Sequence, residues 1–415
     1  MTSNGIHSRF SAGRVSFVNA TTRGKTMKNK TLKAAILSTL GVSLAATAPA
    51  SLAAEDEGID FGGAVRFQYS YEDYDEGNEN RGGDIDLDTF RLNVDGTVGD
   101  VILSGEWRYY QYMEVIHHAW VGYDFNENWQ GQAGITKVPF GNMPYNSHSF
   151  FFSSNYYLGL EDDYDAGLKA LFEKGPWDVQ FAFFKNDELG GVDGYVSDRS
   201  DRYSYDVVAE RDPADGTFDD PSDPGHAGSE VGETNTFVAR VAHTLTHSDT
   251  ASTEIGFSTL YGALHDDVDD VGDYNAAAIH LNGTYGPWNI QLQATQYEYD
   301  MDSGAERMAV GAYAFYDTIA AEATTYTANV AYSMPVSWGP VTNLTFYNDY
   351  SLVTDKSADL ADTTMNVTGM AVSAGGVYAY FDYIVAENQP FIGGTMDSTG
   401  SESANRFNIN VGYYF

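Results

Sequence analysis

The 415-residue chain contains no cysteine, which excludes a disulfide framework, thiolate catalysis and a cysteine-bound zinc site. Basic residues are scarce, since 22 Lys and Arg stand against 59 Asp and Glu, and the formal net charge is −37. So acidic a chain is not expected to bind nucleic acid. Only 11 prolines are present, and after residue 54 no apolar run reaches the length that a membrane-spanning helix needs.

The abundant residues are aromatics and glycine: 30 Tyr, 23 Phe, 6 Trp and 42 Gly. A disordered acidic chain would lack these aromatics, so a folded protein is expected. The combination suits a β-rich fold in which many tight turns join strands with large side chains.

The first 54 residues are expected to be a leader that does not join the fold. From Met27, which we take as the functional start, positive residues precede an apolar run and then small residues. This order is typical of a secretory signal peptide, with cleavage near Ala53 or Ala54. Removing the seven basic residues of 1–54 leaves 15 Lys and Arg against 59 Asp and Glu, a formal net charge of −44. Residues 55–415 are expected to form one domain.

The last nine residues, F-N-I-N-V-G-Y-Y-F, alternate with a period of two, which predicts a strand with one apolar face. A strand of a soluble sandwich is one interpretation. The other is the closing strand of an outer-membrane barrel, whose apolar face meets lipid and whose end is recognised by the outer-membrane assembly machinery. The residues of this expected assembly signal are Phe407, Ile409, Val411, Tyr413 and Phe415.

Similar alternation recurs along the chain from Asp60, and seven short turns separate long acidic connections. Outer-membrane barrels have short periplasmic turns and long outer loops, so seven turns predict sixteen strands. We therefore expect an all-β, antiparallel transmembrane barrel in the bacterial outer membrane, in contact with lipid and lipopolysaccharide. The alternating stretch Met308–Tyr316 is assigned to an outer loop, with eighteen strands as the alternative, and 187–233 is interpreted as a polar loop.

A sixteen-stranded barrel encloses a water-filled lumen, so the expected function is passive diffusion of small hydrophilic solutes or ions. No cofactor and no metal site are expected. The motifs G-x-S-x-G, H-E-x-x-H and the P-loop are absent, and we expect no enzymatic activity. An outer-membrane barrel enzyme and a structural or partner-binding barrel remain alternatives.

Three stretches resemble the phosphate-selective porin O and P family. They are F-R-L-N-V-D-G near Phe90, G-I-T-K-V-P-F-G at 134–141 with the Ser/Phe-rich segment after it, and N-Q-P-F-I-G-G at 388–394. The resemblance implies a sixteen-stranded homotrimeric porin whose third outer loop, here Val138–Asp163, folds inward as a constriction. It also implies transport of anions such as phosphate.

Four arginines lie on the polar faces of the first, second, third and last predicted strands, which become neighbours once the barrel closes. They are Arg66, Arg91, Arg108 and Arg406. We expect one basic patch on the lumen wall, where guanidinium groups bind carboxylate or phosphate. Lys137 is added to the patch, although it lies near the end of its strand. The alternative is that each arginine pairs with an acid such as Glu106 and only braces the wall.

The expected constriction loop carries acidic and aromatic side chains. Glu161, Asp162 and Asp163 would face the basic patch and set a field across the pore, or else cap the next strand. The aromatic residues would stack on sugars, giving a sugar-selective porin, or pack the loop against the wall. These aromatics are Tyr145, Phe150, Phe151, Phe152, Tyr156 and Tyr157.

Overall fold

A computed structural model describes residues 58–192, 196, 198–211 and 230–415. The expected leader, 1–54, lies outside the described residues. The strands of the main sheet are β1 (Gly58–Glu72), β2 (Asp84–Val98), β3 (Val101–Tyr109), β4 (Glu114–Asn126), β5 (Trp129–Lys137), β6 (Tyr164–Lys174), β7 (Trp177–Asp187), β9 (Gly232–Ser248), β10 (Ala251–His265), β11 (Asp270–Tyr285), β12 (Trp288–Met301), β15 (Glu322–Trp338), β16 (Val341–Thr354), β17 (Thr363–Ala374), β18 (Val377–Glu387) and β19 (Ser403–Tyr414).

These sixteen strands form a closed antiparallel barrel, as the sequence predicts. Each strand pairs with the barrel strand that precedes it in the chain, and β19 pairs with β1 to close the ring. At the seam the backbone N–H of Gly63 donates to the Phe415 carbonyl at 2.9 Å, and the N–H of Phe415 donates to the Gly63 carbonyl at 3.1 Å. Closure leaves no unpaired sheet edge, which a barrel in lipid requires.

One end of the barrel, the turn end, carries seven connections of two residues each, at the positions of the short turns that the sequence predicts. Five of these turns hold a glycine with φ between 61° and 64°, a left-handed conformation that costs residues with a Cβ free energy. These glycines are Gly99, Gly175, Gly286, Gly339 and Gly375.

The opposite end, the loop end, carries the eight longer connections, which outer-membrane barrels direct to the cell exterior. A short helix, α1 (Glu76–Arg81), lies between β1 and β2. Three further strands, β8 (Asp206–Glu210), β13 (Arg307–Ala312) and β14 (Phe315–Ala320), form a separate sheet in the order β14-β13-β8. The stretch Met308–Tyr316 therefore belongs to an outer connection as expected, and the eighteen-strand alternative is wrong. The interpretation of 187–233 as a polar loop is corrected, because this stretch contains the strand β8.

The two faces of the barrel wall differ in polarity. Exposed side chains alternate along the strands and are largely apolar, as in Phe181, Phe257, Ile279 and Phe346. Near the turn end this outer face carries exposed aromatics: Tyr123, Phe125, Trp129, Trp177, Tyr285, Trp288, Trp338, Tyr413 and Phe415. Such a girdle is typical of a barrel wall at the membrane interface. Among the described residues, no helix is long and apolar enough to cross a membrane.

Candidate functional site

The connection between β5 and β6, residues 138–163, is the third long connection and is held closed at its base. The N–H of Val138 donates to the Asp163 carbonyl at 2.8 Å. Most of its side chains are buried, and it contains a short 3-10 helix, Tyr156–Leu158. We refer to it below as the β5–β6 loop.

Polar side chains on buried positions of distant strands fasten the β5–β6 loop. Ser258 of β10 accepts from the N–H of Gly141 at 3.0 Å, and Gln293 of β12 accepts from the N–H of Asn142 at 2.8 Å. Further along, Asn329 of β15 donates to the Asn146 carbonyl at 2.6 Å. These partners lie on the polar face of the wall, away from the exposed apolar residues.

The loop also reaches β16, which lies eight strands from β5 in the ring of sixteen. The carboxylate of Asp349 accepts from the N–H groups of His148 and Ser149, each at 2.7 Å. The hydroxyl of Ser351 accepts from the N–H of Ser154 at 3.0 Å. The loop therefore contacts the wall that lies opposite its own origin.

Gly141 gives a physical reason for the glycine of the K-V-P-F-G motif. Its φ is 63°, and a Cβ at this position would lie 2.4 Å from the side chain of Gln293. The Gly141 carbonyl also accepts from the Arg240 guanidinium at 2.9 Å. The motif therefore marks the point where the chain turns sharply against β12.

The structure brings the four predicted arginines to one cavity of about 460 Å³. Two acids of β2, Asp86 and Asp88, are also among the lining residues, together with Gln68, Gln111 and Ser149. All six predicted loop aromatics line the same cavity, which therefore lies between the β5–β6 loop and the wall formed by β19, β1, β2 and β3.

Each arginine has a carboxylate partner, as the bracing alternative requires. Arg66 pairs with Asp88 at 2.6 Å, and Arg406 pairs with Glu72 at 3.1 Å. Glu106 lies between the other two, at 3.4 Å from Arg91 and 2.5 Å from Arg108. Four guanidinium groups thus share three carboxylates, and neither Glu72 nor Glu106 lines the cavity.

Aromatic rings of the β5–β6 loop and of the wall also contact the guanidinium groups. Arg66 lies over the ring of Phe150 at 5.4 Å, and Arg406 lies over Phe151 at 5.2 Å. On the wall side, Arg91 lies over Tyr414 at 5.2 Å. Such cation–π contacts, together with the ion pairs, fix the positions of the charges.

Lys137 and the predicted loop acids lie apart from the arginine cavity. Lys137, the last residue of β5, forms an ion pair with Asp162 and donates to the Pro144 carbonyl at 2.6 Å. Glu161 accepts from the N–H groups of Asn146 and Ser153 inside the loop. Burial raises the pKa of Glu161 to about 7, against the opposing effect of these donors. The acids brace the loop and do not line the cavity with the arginines.

Sequence reasoning missed the cavity residues that come from the other long connections. Tyr203 precedes β8, Tyr313 lies between β13 and β14, and Phe391 follows β18, yet all three line the cavity. Arg108 lies 4.4 Å from the centre of the Tyr203 ring. Their positions depend on how the outer connections fold together, and no local pattern in the sequence indicates it.

The predicted assembly residues lie on the outer face of β19. Phe407, Val411, Tyr413 and Phe415 are exposed, and Ile409 is half-buried. They face away from the arginine cavity, and their role in assembly stays a prediction.

No protein-family model matches the chain, and no curated protein matches it. Solved structures do share the fold. The outer-membrane channel DcaP of Acinetobacter baumannii is 12% identical with a TM-score of 0.55, and the match covers 88% of this chain and 99% of DcaP. An anion-selective porin from Comamonas acidovorans is 12% identical with a TM-score of 0.51, covering 87% and 100%. The trimer form of OmpT, an outer-membrane protein of Vibrio cholerae, is 15% identical with a TM-score of 0.51, covering 87% and 100%.

These matches show the fold, which is that of bacterial outer-membrane porin barrels, and the expected location is confirmed. At such low identity they do not show the family, and the resemblance to the phosphate-selective porins stays a prediction.

The exclusion of an enzyme is corrected. The matches include OmpT structures at 15% identity. A shared barrel fold does not show whether a protein is a channel or an enzyme, so the fold gives no ground for excluding an enzyme. The absence of short motifs excludes little, because a site assembled from several strands leaves no contiguous signature.

Proposed function

We propose that the protein is a porin through which small hydrophilic solutes diffuse, with the β5–β6 loop as its constriction and the arginine cavity as its selective element. The hydrogen bonds from this loop to β10, β12, β15 and β16 support the first part. They tie the loop to the polar face of the wall on strands that lie between four and eight strands from β5 around the ring. A loop held there narrows the lumen and places every permeating solute beside the cavity.

The observation that carries the selectivity is the charge of the cavity lining. Four arginines line it, against the two aspartates Asp86 and Asp88. Guanidinium groups remain charged at any working pH and donate in pairs to carboxylate or phosphate oxygens. The carboxylates of Glu72 and Glu106, which do not line the cavity, balance the remaining formal charge, so the preference rests on the guanidinium groups that face the cavity and not on a net positive charge. The cavity therefore favours small anions, including phosphate.

Solute uptake into liposomes tests this proposal. Reconstituted protein should pass phosphate faster than a cation of similar size at high salt. The double variant Arg66→Gln/Arg108→Gln should lose that preference while still passing small neutral solutes. Arg81→Gln is the matched control, because Arg81 is exposed on α1, pairs with Asp84 and does not line the cavity. Liposomes that pass no solute would contradict the channel, and unchanged preference in the double variant would contradict the role of the cavity.

A second candidate function rests on the aromatic part of the lining, which includes Tyr145, Phe152 and Tyr156. Aromatic faces bind the apolar faces of sugars, so a sugar-selective porin is the alternative. The rings already pack on one another, with Phe152 and Tyr156 stacked at 4.6 Å, which favours a structural role. Sugar uptake that saturates and falls in Tyr145→Ala would favour the sugar alternative.

We also propose a homotrimer. A groove of about 670 Å³ on the outer face between β3 and β9 is lined by apolar and small residues, including Leu168, Phe181, Ala133 and Ala170. Such a groove suits packing against another barrel. Native mass measurement of the protein in mild detergent should give the mass of a trimer. The variant Ala133→Phe, which fills the groove, should shift the equilibrium from trimer toward monomer. Ala294→Phe, on β12 away from the groove, is the control. Monomer alone in the unaltered protein would contradict the proposal.

A further inference from the structure

A group of buried acids lies at the loop end of the barrel, apart from the arginine cavity. Asp163 ends the β5–β6 loop, Asp165 lies at the start of β6, and Asp206 is the first residue of β8. One carboxylate oxygen from each lies within 4.8 Å of the other two. Their exposed fractions are only 7%, 4% and 3%. Three carboxylates so close together and out of water repel one another strongly unless a counterion is present.

The hydrogen-bond partners of this group are incomplete. Oδ1 of Asp165 is buried and has no partner. Glu188, which follows β7, is a separate residue whose side chain is 3% exposed and lies against Asp206. Neither of its carboxylate oxygens accepts a hydrogen bond, and the nearest cation is the Arg202 guanidinium at 3.7 Å from Oε2. Buried carboxylate oxygens normally have a donor beside them, so these oxygens are available to ligate a cation.

Nearby arginines compensate only part of the negative charge. Arg202 pairs with Asp206 and with Asp187, and Arg199 pairs with Asp187. Glu233, at the start of β9, lies within electrostatic range of Asp206. The group contains six acids, which are Asp163, Asp165, Asp187, Glu188, Asp206 and Glu233. The two arginines neutralise two of these charges, which leaves about four negative charges.

We propose that Asp163, Asp165 and Asp206, with Glu188 beside them, bind a calcium ion. Ca²⁺ takes oxygen ligands at about 2.4 Å, so oxygens that share one ion lie up to about 4.8 Å apart. Mg²⁺ needs shorter distances and stricter octahedral geometry, and it keeps more of its water. The residues come from the ends of the β5–β6 loop and β7 and from the starts of β6 and β8. The ion would clamp the outer sheet to the barrel rim.

Direct calcium binding tests this proposal. The protein, refolded without lipopolysaccharide and stripped with a chelator, is dialysed against Ca²⁺ with excess Mg²⁺ present, and bound calcium is counted by elemental mass spectrometry. We expect one ion per chain. Glu188→Gln should weaken Ca²⁺ binding by about tenfold or more, because calcium affinity follows the number of charged ligands. Asp165→Asn/Asp206→Asn should abolish the ion.

The control is Asp267→Asn/Asp269→Asn, which removes two exposed acids between β10 and β11 and should keep the ion. The unaltered protein also serves as a test that needs no variant: calcium should raise its temperature of unfolding. No bound calcium in the unaltered protein would overturn the proposal and indicate that the acids share protons. Equal binding in Asp165→Asn/Asp206→Asn would also overturn it.

Discussion

His148 of the β5–β6 loop is bound to Asp349 on the opposite side of the barrel by two hydrogen bonds, from its backbone N–H at 2.7 Å and between Nδ1 and Oδ1 at 2.8 Å. The other imidazole nitrogen lies 2.7 Å from the Asn289 side-chain oxygen. Both His148 and Asp349 are buried. Within the proposed channel, this contact fixes how far the loop reaches across the lumen.

Removing the charge of Asp349 should loosen the loop. In Asp349→Asn the side chain loses a charged acceptor for the N–H groups of His148 and Ser149, and each such hydrogen bond contributes about 1.5–3 kcal/mol. We expect a larger single-channel conductance and faster hydrogen exchange at 146–154. Asp302→Asn, an exposed position after β12, is the control. Unchanged conductance and exchange would show that Asp349 does not hold the loop.

The same contact predicts a pH dependence. Burial lowers the pKa of His148, but the Asp349 charge and the hydrogen bonds with Asp349 and Asn289 raise it more, so the pKa lies above its ordinary value. A raised histidine pKa stabilises the packed loop fully below about pH 6.5, and this contribution is lost as pH rises through the raised pKa.

Hydrogen exchange of residues 146–154 at pH 6 and pH 8.5, corrected for intrinsic rates, should therefore show weaker protection at the higher pH. His148→Gln cannot take up the proton and should lose less protection between the two pH values, and the loss that remains is due to Glu161, whose pKa of about 7 lies in the same range. The same loss of protection in His148→Gln would exclude His148 as its cause.

Alanine variants of two glycines distinguish the effect of backbone strain from the effect of steric fit. Gly141 and Gly175 have φ of 63° and 61°, but a Cβ at Gly141 meets Gln293, whereas a Cβ at Gly175 has no atom within 4 Å. Both alanine variants bear the left-handed penalty of about 1–2 kcal/mol. Only Gly141→Ala should also displace the loop and raise its conductance. Equal conductance in both variants would mean that the fit against Gln293 does not position the loop.

The seam between Phe415 and Gly63 predicts an effect on assembly. The Phe415 ring passes so close to Gly63 that a Cβ there would lie 2.8 Å from a ring carbon. Phe415→Ala should lower the yield of heat-resistant oligomer in the membrane and leave conductance unchanged. Phe346→Ala, which removes an exposed aromatic from β16, should keep a normal yield. Normal yield in Phe415→Ala would contradict an assembly role.

Much of the fold could be predicted from sequence because a barrel wall repeats a local rule. Alternation and two-residue turns are properties of short stretches, so all sixteen strands could be placed. The alternating stretch Met308–Tyr316 could be distinguished from the barrel strands because it lay within one long connection. Strand β8 was missed because four of its five residues are buried, which leaves no alternation to find.

The candidate site could be predicted only in part. Ring closure places Arg66, Arg91, Arg108 and Arg406 together, and this follows from strand order alone. Tyr203 and the acids around Asp206 reach their positions through folding of the outer connections, which depends on contacts between residues distant in sequence. The loop acid Glu161 was expected either to face the basic patch or to cap the next strand, but it accepts hydrogen bonds within its own loop.

In the proposed channel, the arginine cavity selects the ions that cross the barrel. Acidic outer loops favour cations at the mouth, but the Debye length is about 8 Å at physiological ionic strength, so salt screens those charges before it screens groups inside the lumen. The reversal potential of single channels in planar bilayers should therefore shift toward anion preference as salt rises. Arg66→Gln/Arg108→Gln should abolish that shift, and Arg81→Gln should keep it. A reversal potential that responds to neither salt nor the double substitution would contradict ion selection by the arginine cavity.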